Sequence, residues 1–301
     1  MYGKWDAWDI KDYFTHQGIE FDLVKSPAIS VKGNLVSCLD TAKQFRSSVV
    51  EQRICLSGDS PVITVKNRIR WLDKGVSTKD WFTINASKTK AFYDIPYGVI
   101  ERSTTRESTW DKAKFEVPAV RWVTILGEGK GLTIIASSRH GYSAIGNRIG
   151  LSLIRSPIYP NPRSDLGEFE VEYYIYPHLE DHQEAEVPKV IHQVLHKVKA
   201  FSAKIDGEAS LMVIEPQKLV LGSLKVSEDL DGYIVRVYNP YKDKVKAVIR
   251  FNHLLNISRV LEVNVIEIEA QGEIPVNDNA VEIKLEPQKI KTLKIVLNEK
   301  Q

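Results

Sequence analysis

Residues 167–176 read GEFEVEYYIY, and the side chains alternate. Phe169, Val171, Tyr173 and Ile175 fall on one side of an extended chain, with Glu168, Glu170, Glu172 and Tyr174 on the other, because successive strand residues point to opposite faces. Such a strand needs a second layer over its apolar side, so the stretch predicts packed β-sheets. Working outward, PVITVKNRIR (61–70), GLTIIAS (131–137) and GYIVRVY (232–238) are short, rich in β-branched residues, and punctuated by Gly, Pro, Asp or Asn. That is the composition of strands and turns, and the chain reads as all-β.

One stretch departs from the pattern. In DHQEAEVPKVIHQVLHKVKA (181–200), Val187, Val190, Ile191, Val194, Leu195 and Val198 recur three and four residues apart, the spacing of one amphipathic helix. Pro188 sits near its start, where a missing N–H is tolerated, acidic residues precede it, and Lys197 and Lys199 fall at its end. After it, turn residues punctuate further strands through Leu297. The expected organisation is a connector over 1–24, a large sandwich domain over 25–180, a linking helix over 181–200 and a small C-terminal β-sandwich over 201–301.

The 301 residues carry 41 Lys and Arg against 39 Asp and Glu, a net charge of +2. The two signs are interspersed, which leaves no electrostatic footprint for nucleic acid or an anionic membrane, so neither is expected as a partner. The start, MYGKWDAWDIKDYF, has no basic stretch followed by an apolar run, and no run of about 18 apolar residues occurs. The expected location is the cytoplasm. Cys38 and Cys55 form neither a CxxC nor a metal spacing and read as two small core hydrophobes. High charge with two Cys and two Met also fits a thermophile's composition. All six tryptophans (Trp5, Trp8, Trp71, Trp81, Trp110 and Trp122) precede the middle of the chain, and indole rings serve first as core fillers and second as sugar platforms.

Motifs of chemistry are sparse. His178 with His182 and His192 with His196 are i, i+4 pairs, but position 193 is Gln where a zinc-protease helix has its Glu, so no metal site is expected on this chain. No GxSxG, phosphate loop or dinucleotide fingerprint is present. A glycosidase carboxylate pair is defined by its separation in space, which sequence does not reveal. Polar and aromatic clusters at strand ends are more informative: YDIPYG (93–98), FEVP (115–118), HGYS (140–143), LSLIRSP (151–157) and YPH (176–178), the way loop-borne sites are built on β scaffolds.

That ordered series, YDIPYGV, WDKAKFEVPAVRWV, RHGYSAIGN and LSLIRSPIYPNPRSDLGEFEVEYYIYPH, resembles the C-terminal β region of glycoside hydrolase family 38, the α-mannosidases. WDAWDI (5–10), IVRVYNP (234–240) and IKTLKIVL (290–297) are similar to further landmarks, so the resemblance covers nearly the whole chain. It implies a large galactose-mutarotase-like supersandwich followed by a small terminal sandwich. In the family, an N-terminal β/α domain bears the catalytic zinc, its ligands and the Asp nucleophile of a retaining mechanism, and a helical bundle follows. No match to that part stands before WDAWDI here, and the first supersandwich strands are expected to be absent too. An unpaired edge or exposed apolar patch is therefore expected near Trp5 to Phe14.

The chain departs from the family at Glu101-Arg102-Ser103-Thr104, where Arg-Pro-Thr is usual, at Asp165-Leu166-Gly167-Glu168-Phe169, where Asp-x-Gly-x-His is usual, and at Tyr238-Asn239-Pro240, where Tyr-Glu-Pro is usual. The family's β region lends the catalytic domain substrate contacts, and the matching residues are Arg155, with His140 and Tyr142 on a neighbouring turn. No catalytic residue is assigned to this chain. A salt bridge from Arg155 to a loop acid such as Asp165 is the structural alternative. The resemblance implies the non-catalytic C-terminal half of an α-mannosidase, with no cofactor of its own, zinc in the missing domain, and an N-terminal catalytic polypeptide and an α-mannoside as partners. The alternative is a free-standing carbohydrate-binding or scaffold sandwich. An aldose epimerase, the third reading, requires His140 and Glu168 to converge in one cleft.

Overall fold

The computed structural model describes residues 5–10, 18–202, 207 and 210–298. They fall into two compact units, residues 1–94 with 100–187, and 95–99 with 188–301. In chain order the strands up to residue 180 are β1 (Asp22–Lys32), β2 (Val36–Phe45), β3 (Ser48–Ser57), β4 (Ile63–Trp71), β5 (Thr78–Thr83), β6 (Lys90–Ile95), β7 (Gly98–Ser103), β8 (Val117–Pro118), β9 (Trp122–Gly127), β10 (Lys130–Ile135), β11 (Gly141–Ile145), β12 (Arg148–Ile154) and β13 (Gly167–Leu179), with a short helix α1 (Thr109–Ala113). They form a nine-stranded sheet, ordered β1-β2-β3-β4-β13-β10-β9-β6-β7, and a four-stranded sheet, β5-β12-β11-β8. Ile69, Trp71, Val123, Ile134, Val171 and Tyr173 of the larger sheet meet Tyr142, Ile149, Leu151 and Leu153 of the smaller in one core. The alternation in β13 does its work here: Val171 and Tyr173 are buried, and Phe169 and Ile175 pack against the same core.

Tyr174 does not behave as a solvent-facing residue. It is buried on the opposite side of the sheet, in register with Ile135, which is in turn opposite Trp122. His182 closes over this second apolar row, 4.4 Å from the Phe92 ring and 5.8 Å from that of Trp122.

An unpaired edge occurs at β1, further along the chain than the Trp5–Phe14 segment of the expectation: its 11 residues are all exposed, and among the described residues it pairs on one side only. Leu23, Val24, Ile29 and Val31 are among its solvent-facing apolar side chains. Three register shifts interrupt its pairing with β2, irregularities that discourage another strand from adding to the edge. Of the segment expected to be bare, residues 11–14 lie outside the described ones.

Two expectations are corrected. Cys38 and Cys55 are bonded to each other, because the β2–β3 register sets them directly opposite; 17 residues of separation conceal a neighbour across a hairpin. The helix α2 covers Val187–Leu195 rather than 181–200. Upstream of it the Asp181 carboxylate accepts the backbone N–H groups of Gln183 and Glu184 at 2.8 and 3.0 Å. Glu186, at φ 48°, then breaks the helical conformation, so helix begins only at Val187.

The second unit holds β14 (Met212–Glu215), β15 (Val220–Val226), β16 (Tyr233–Tyr238), β17 (Val245–Phe251), β18 (Ile257–Val263), β19 (Ala270–Ile274), β20 (Val276–Asn277), β21 (Ala280–Leu285) and β22 (Ile290–Leu297). These form sheets ordered β14-β17-β21-β20 and β15-β16-β22-β18-β19 around Val237, Ile249, Val260, Val281 and Leu293. Asn239 explains its own departure from the family pattern. Its buried amide donates to Asp243 O at 2.7 Å and Glu286 O at 3.2 Å while its carbonyl accepts Tyr241 N at 3.1 Å. A carboxylate cannot donate, so Glu could not close this corner the same way. Tyr97, from the turn between β6 and β7, belongs to this unit: its ring meets Tyr238 edge-on at 5.5 Å and lies where a Cβ on Gly222 would come within 3.0 Å.

Candidate substrate-binding site

The four-stranded sheet sets a polar row across its strands. Lys79 of β5 is in register with Ser152 of β12, and Gly141 of β11 with Pro118 of β8. The small residues in the middle let the long ones at the sides meet: Lys79 Nζ donates to the Glu116 carboxylate and to Ser152 Oγ, and Ser152 Oγ donates to Glu116. A Cβ on Gly141 would lie 2.3 Å from Glu116 Oε1, so glycine is what seats this carboxylate over the sheet. Burial works to raise the Glu116 carboxyl, but the charge and hydrogen bond of Lys79, with Ser152, outweigh it and hold the group below the ordinary carboxylate value. Burial draws Lys79 downward, opposed by Glu116.

Arg155 follows β12 directly and is half-buried. Its Nη2 donates to the carbonyls of Asp6 at 2.6 Å and Asp9 at 2.7 Å. The Asp6 carboxylate, itself buried, accepts the N–H groups of Ile158 and Tyr159 at 2.8 and 2.9 Å. WDAWDI and the loop after β12 are thus tied together in both directions. Asp165 binds the backbone of this corner, accepting Arg155 N at 3.1 Å and Ser156 N at 2.9 Å. Arg155's charge also reaches the Lys79–Glu116 pair, lowering both groups.

His140 is exposed on the turn before β11, at the same end of the sheet as Arg155 by register. Its Nδ1 lies 3.0 Å from Val120 O, a geometry that requires a proton on Nδ1. Tyr142 is different. Its side chain is fully buried in the sandwich core and its hydroxyl has no partner, so the alternation of β11 removes it from any surface a sugar reaches. Of the expected residues, Arg155 therefore stands near the cluster of Lys79, Glu116 and Ser152, while His140 shares only its end of the sheet. Glu116 stood inside FEVP; the signal for Lys79 was only its place one residue from Asp80 on an alternating strand.

The other clusters are structural. Asp94 of YDIPYG is buried and takes Arg121 Nε at 2.8 Å and Nη2 at 3.1 Å. His178 lies over Gly131, 3.0 Å from Thr133 Oγ1. His192 and His196 stack at 4.8 Å, and among the described residues no three metal-ligating side chains converge. Glu168 is on β13 of the larger sheet, opposite Arg70, so it does not join His140 as an epimerase pair. An open groove of about 500 Å³ on the larger sheet is lined by Lys25, Glu51, Arg68 and Glu170 with the paired charges Asp40–Arg53 and Lys66–Glu172. Its charges offset one another across the strands, and none of the expected site residues lines it.

With this geometry in hand, likeness to known proteins is specific. Residues 2–163 match the glycosyl hydrolases family 38 C-terminal domain, and residues 218–293 the family 38 C-terminal beta sandwich domain. Alpha-mannosidase G of Dictyostelium discoideum is 24% identical over 98% of this chain and 28% of its own length. Human alpha-mannosidase 2C1 is 24% identical over 97% of this chain and 29% of its own. The crystal structure of an alpha-mannosidase from Enterococcus faecalis V583 superposes with a TM-score of 0.75 at 14% identity, over 90% of this chain and 35% of that one. The chain spans less than a third of the curated relatives it matches, in their C-terminal part. Matched over more than half its length by the first of these domains and again by the second, the chain belongs to glycosyl hydrolase family 38 as its C-terminal β region.

Proposed function

We propose that this chain is the supporting, non-catalytic portion of an α-mannosidase, working with a zinc-dependent catalytic polypeptide and placing Arg155 and His140 at the margin of its mannoside site. The observation that carries the reading is the match of almost the entire chain to the C-terminal part of alpha-mannosidases. No group of described residues here fits a zinc ion, so no step of the hydrolysis is assigned to this chain through a metal. Its part is positional. The Arg155 guanidinium holds its charge at any working pH and offers several directed donors, which suits sugar hydroxyls, while its bonds to Asp6 and Asp9 fix the loop around it. His140 is exposed and keeps its Nδ1 proton on Val120 O. The expected working place is the cytoplasm, and no helix among the described residues is long and apolar enough to cross a membrane.

The test is co-expression with the catalytic N-terminal part of a family 38 α-mannosidase, followed by assay on an aryl α-mannoside. Co-purification with hydrolysis that requires both polypeptides is the expected result. A chain that never associates, or adds nothing to the catalytic part, points instead to the free-standing sandwich.

A further inference from the structure

Trp71 and Trp122 are core residues, but Trp5 and Trp8 are 59% and 66% exposed and stand together with Tyr159, 43% exposed. The ring centroids of Trp5 lie 5.6 Å from both Trp8 and Tyr159, and those of Trp8 and Tyr159 are 6.3 Å apart. Their mutual tilts are 57° for Trp5–Trp8, 84° for Trp5–Tyr159 and 60° for Trp8–Tyr159, so the rings form one tilted group rather than a stack.

Exposing that much aromatic surface costs free energy, and the chain fixes the rings outside. The buried Asp6 carboxylate grips the backbone N–H groups of Ile158 and Tyr159. Arg155 grips the carbonyls on either side of Trp8, those of Asp6 and Asp9, and Trp8 N and Asp9 N both donate to Trp5 O at 3.0 Å. Both loops that carry the rings are held before any ligand arrives, which lowers the ordering cost of binding. Polar residues flank the rings in sequence: Asp6 and Asp9 on one loop, Asn161 and Arg163 on the other. Exposed indole and phenol rings on loops that also carry exposed polar residues suit a pyranose, which has a C–H face to stack and a rim of hydroxyls to hydrogen-bond.

We propose that Trp5, Trp8 and Tyr159 form a sugar-stacking subsite for a hexopyranose unit of an α-mannoside, next to Arg155. The choice of mannoside rests on the function proposed above; the stacking chemistry does not. The experiment titrates the 301-residue protein with methyl α-mannopyranoside and with an α-linked mannotriose, read by tryptophan fluorescence and by ligand-detected NMR. Saturable binding in about the millimolar range is expected, weakened about tenfold in Trp5→Ala and Trp8→Ala and unchanged in Trp110→Ala, whose exposed ring lies on α1. Thermal melts show whether each variant is folded. A folded wild-type protein that binds neither sugar, or equal binding in all variants, overturns the subsite and leaves co-assembly with a catalytic polypeptide untouched. Sugar binding without any such assembly overturns the supporting role and leaves the subsite. If neither sugar binds and Trp8→Ala instead weakens capture of the catalytic polypeptide, the rings are a protein contact and the subsite falls.

Discussion

Glu116 shows how one residue couples stability to pH. Its folded carboxyl titrates below the ordinary value of 4.5, held there by Lys79 and Ser152 against burial. A depressed folded value means the contribution is complete above the unfolded value and is lost as pH falls through 4.5 toward the folded one. Urea denaturation at a series of pH values should show stability dropping across that window, with a shallower drop in Glu116→Gln. At neutral pH the same substitution leaves Lys79 with a neutral partner and should cost about 2 kcal/mol. Arg155 makes a different prediction. Arg155→Ala removes two charge-assisted bonds to the Trp5–Trp8 loop, so in the assembled enzyme turnover should fall roughly ten- to a hundredfold. Arg155→Lys should keep charge but not the fixed geometry, and recover only part of the loss. A kcat/KM that ignores both changes removes Arg155 from the site.

At the scale of elements, β13 was legible because one face of it faces the core, while Tyr174 was not, because a second apolar row covers the other face only where Trp122 and Ile135 lie beside it. The pairing of Cys38 with Cys55 was invisible for a related reason: spacing rules count along the chain, and the two sulfurs are brought together by register between strands. Helix α2 was seen but overextended at both ends: Asp181 and Glu186 impose turns before its first apolar position, Val187, and its apolar spacing runs on to Val198, beyond the last helical residue, Leu195. The disulfide closes a loop of 17 residues, a size for which the loss of unfolded-state entropy is worth about 3 kcal/mol. Reducing agent, or Cys38→Ser with Cys55→Ser, should therefore lower the urea midpoint by an amount of that order. An unchanged midpoint would mean that the hairpin's unfolded form is already compact. Disulfides persist in oxidising compartments and in hyperthermophiles and are rare in an ordinary cytosol, so the bond stands against the cytoplasmic expectation unless the source is a thermophile.

For the whole molecule, the isolated chain should show no hydrolysis of an aryl α-mannoside with or without added zinc, because in the function proposed above a separate catalytic polypeptide supplies the metal and the carboxylate nucleophile. Turnover by the pure protein that disappears on mutating one of its own residues would contradict the supporting role. The order of motif blocks along the chain carried the family and the two sandwiches, since each block is a turn with a fixed place in the topology. What sequence could not carry was which tryptophans face inward, because that depends on strands far apart in the chain. The same long-range character governs biogenesis. Tyr97 is made early, yet the surface that receives it, at Gly222 and Tyr238, is complete only about 140 residues later, roughly 7–28 s at ordinary elongation rates. Through that interval Tyr97 is without the two neighbours it has in the folded unit, and a C-terminal sandwich produced without residues 95–99 would lose both contacts.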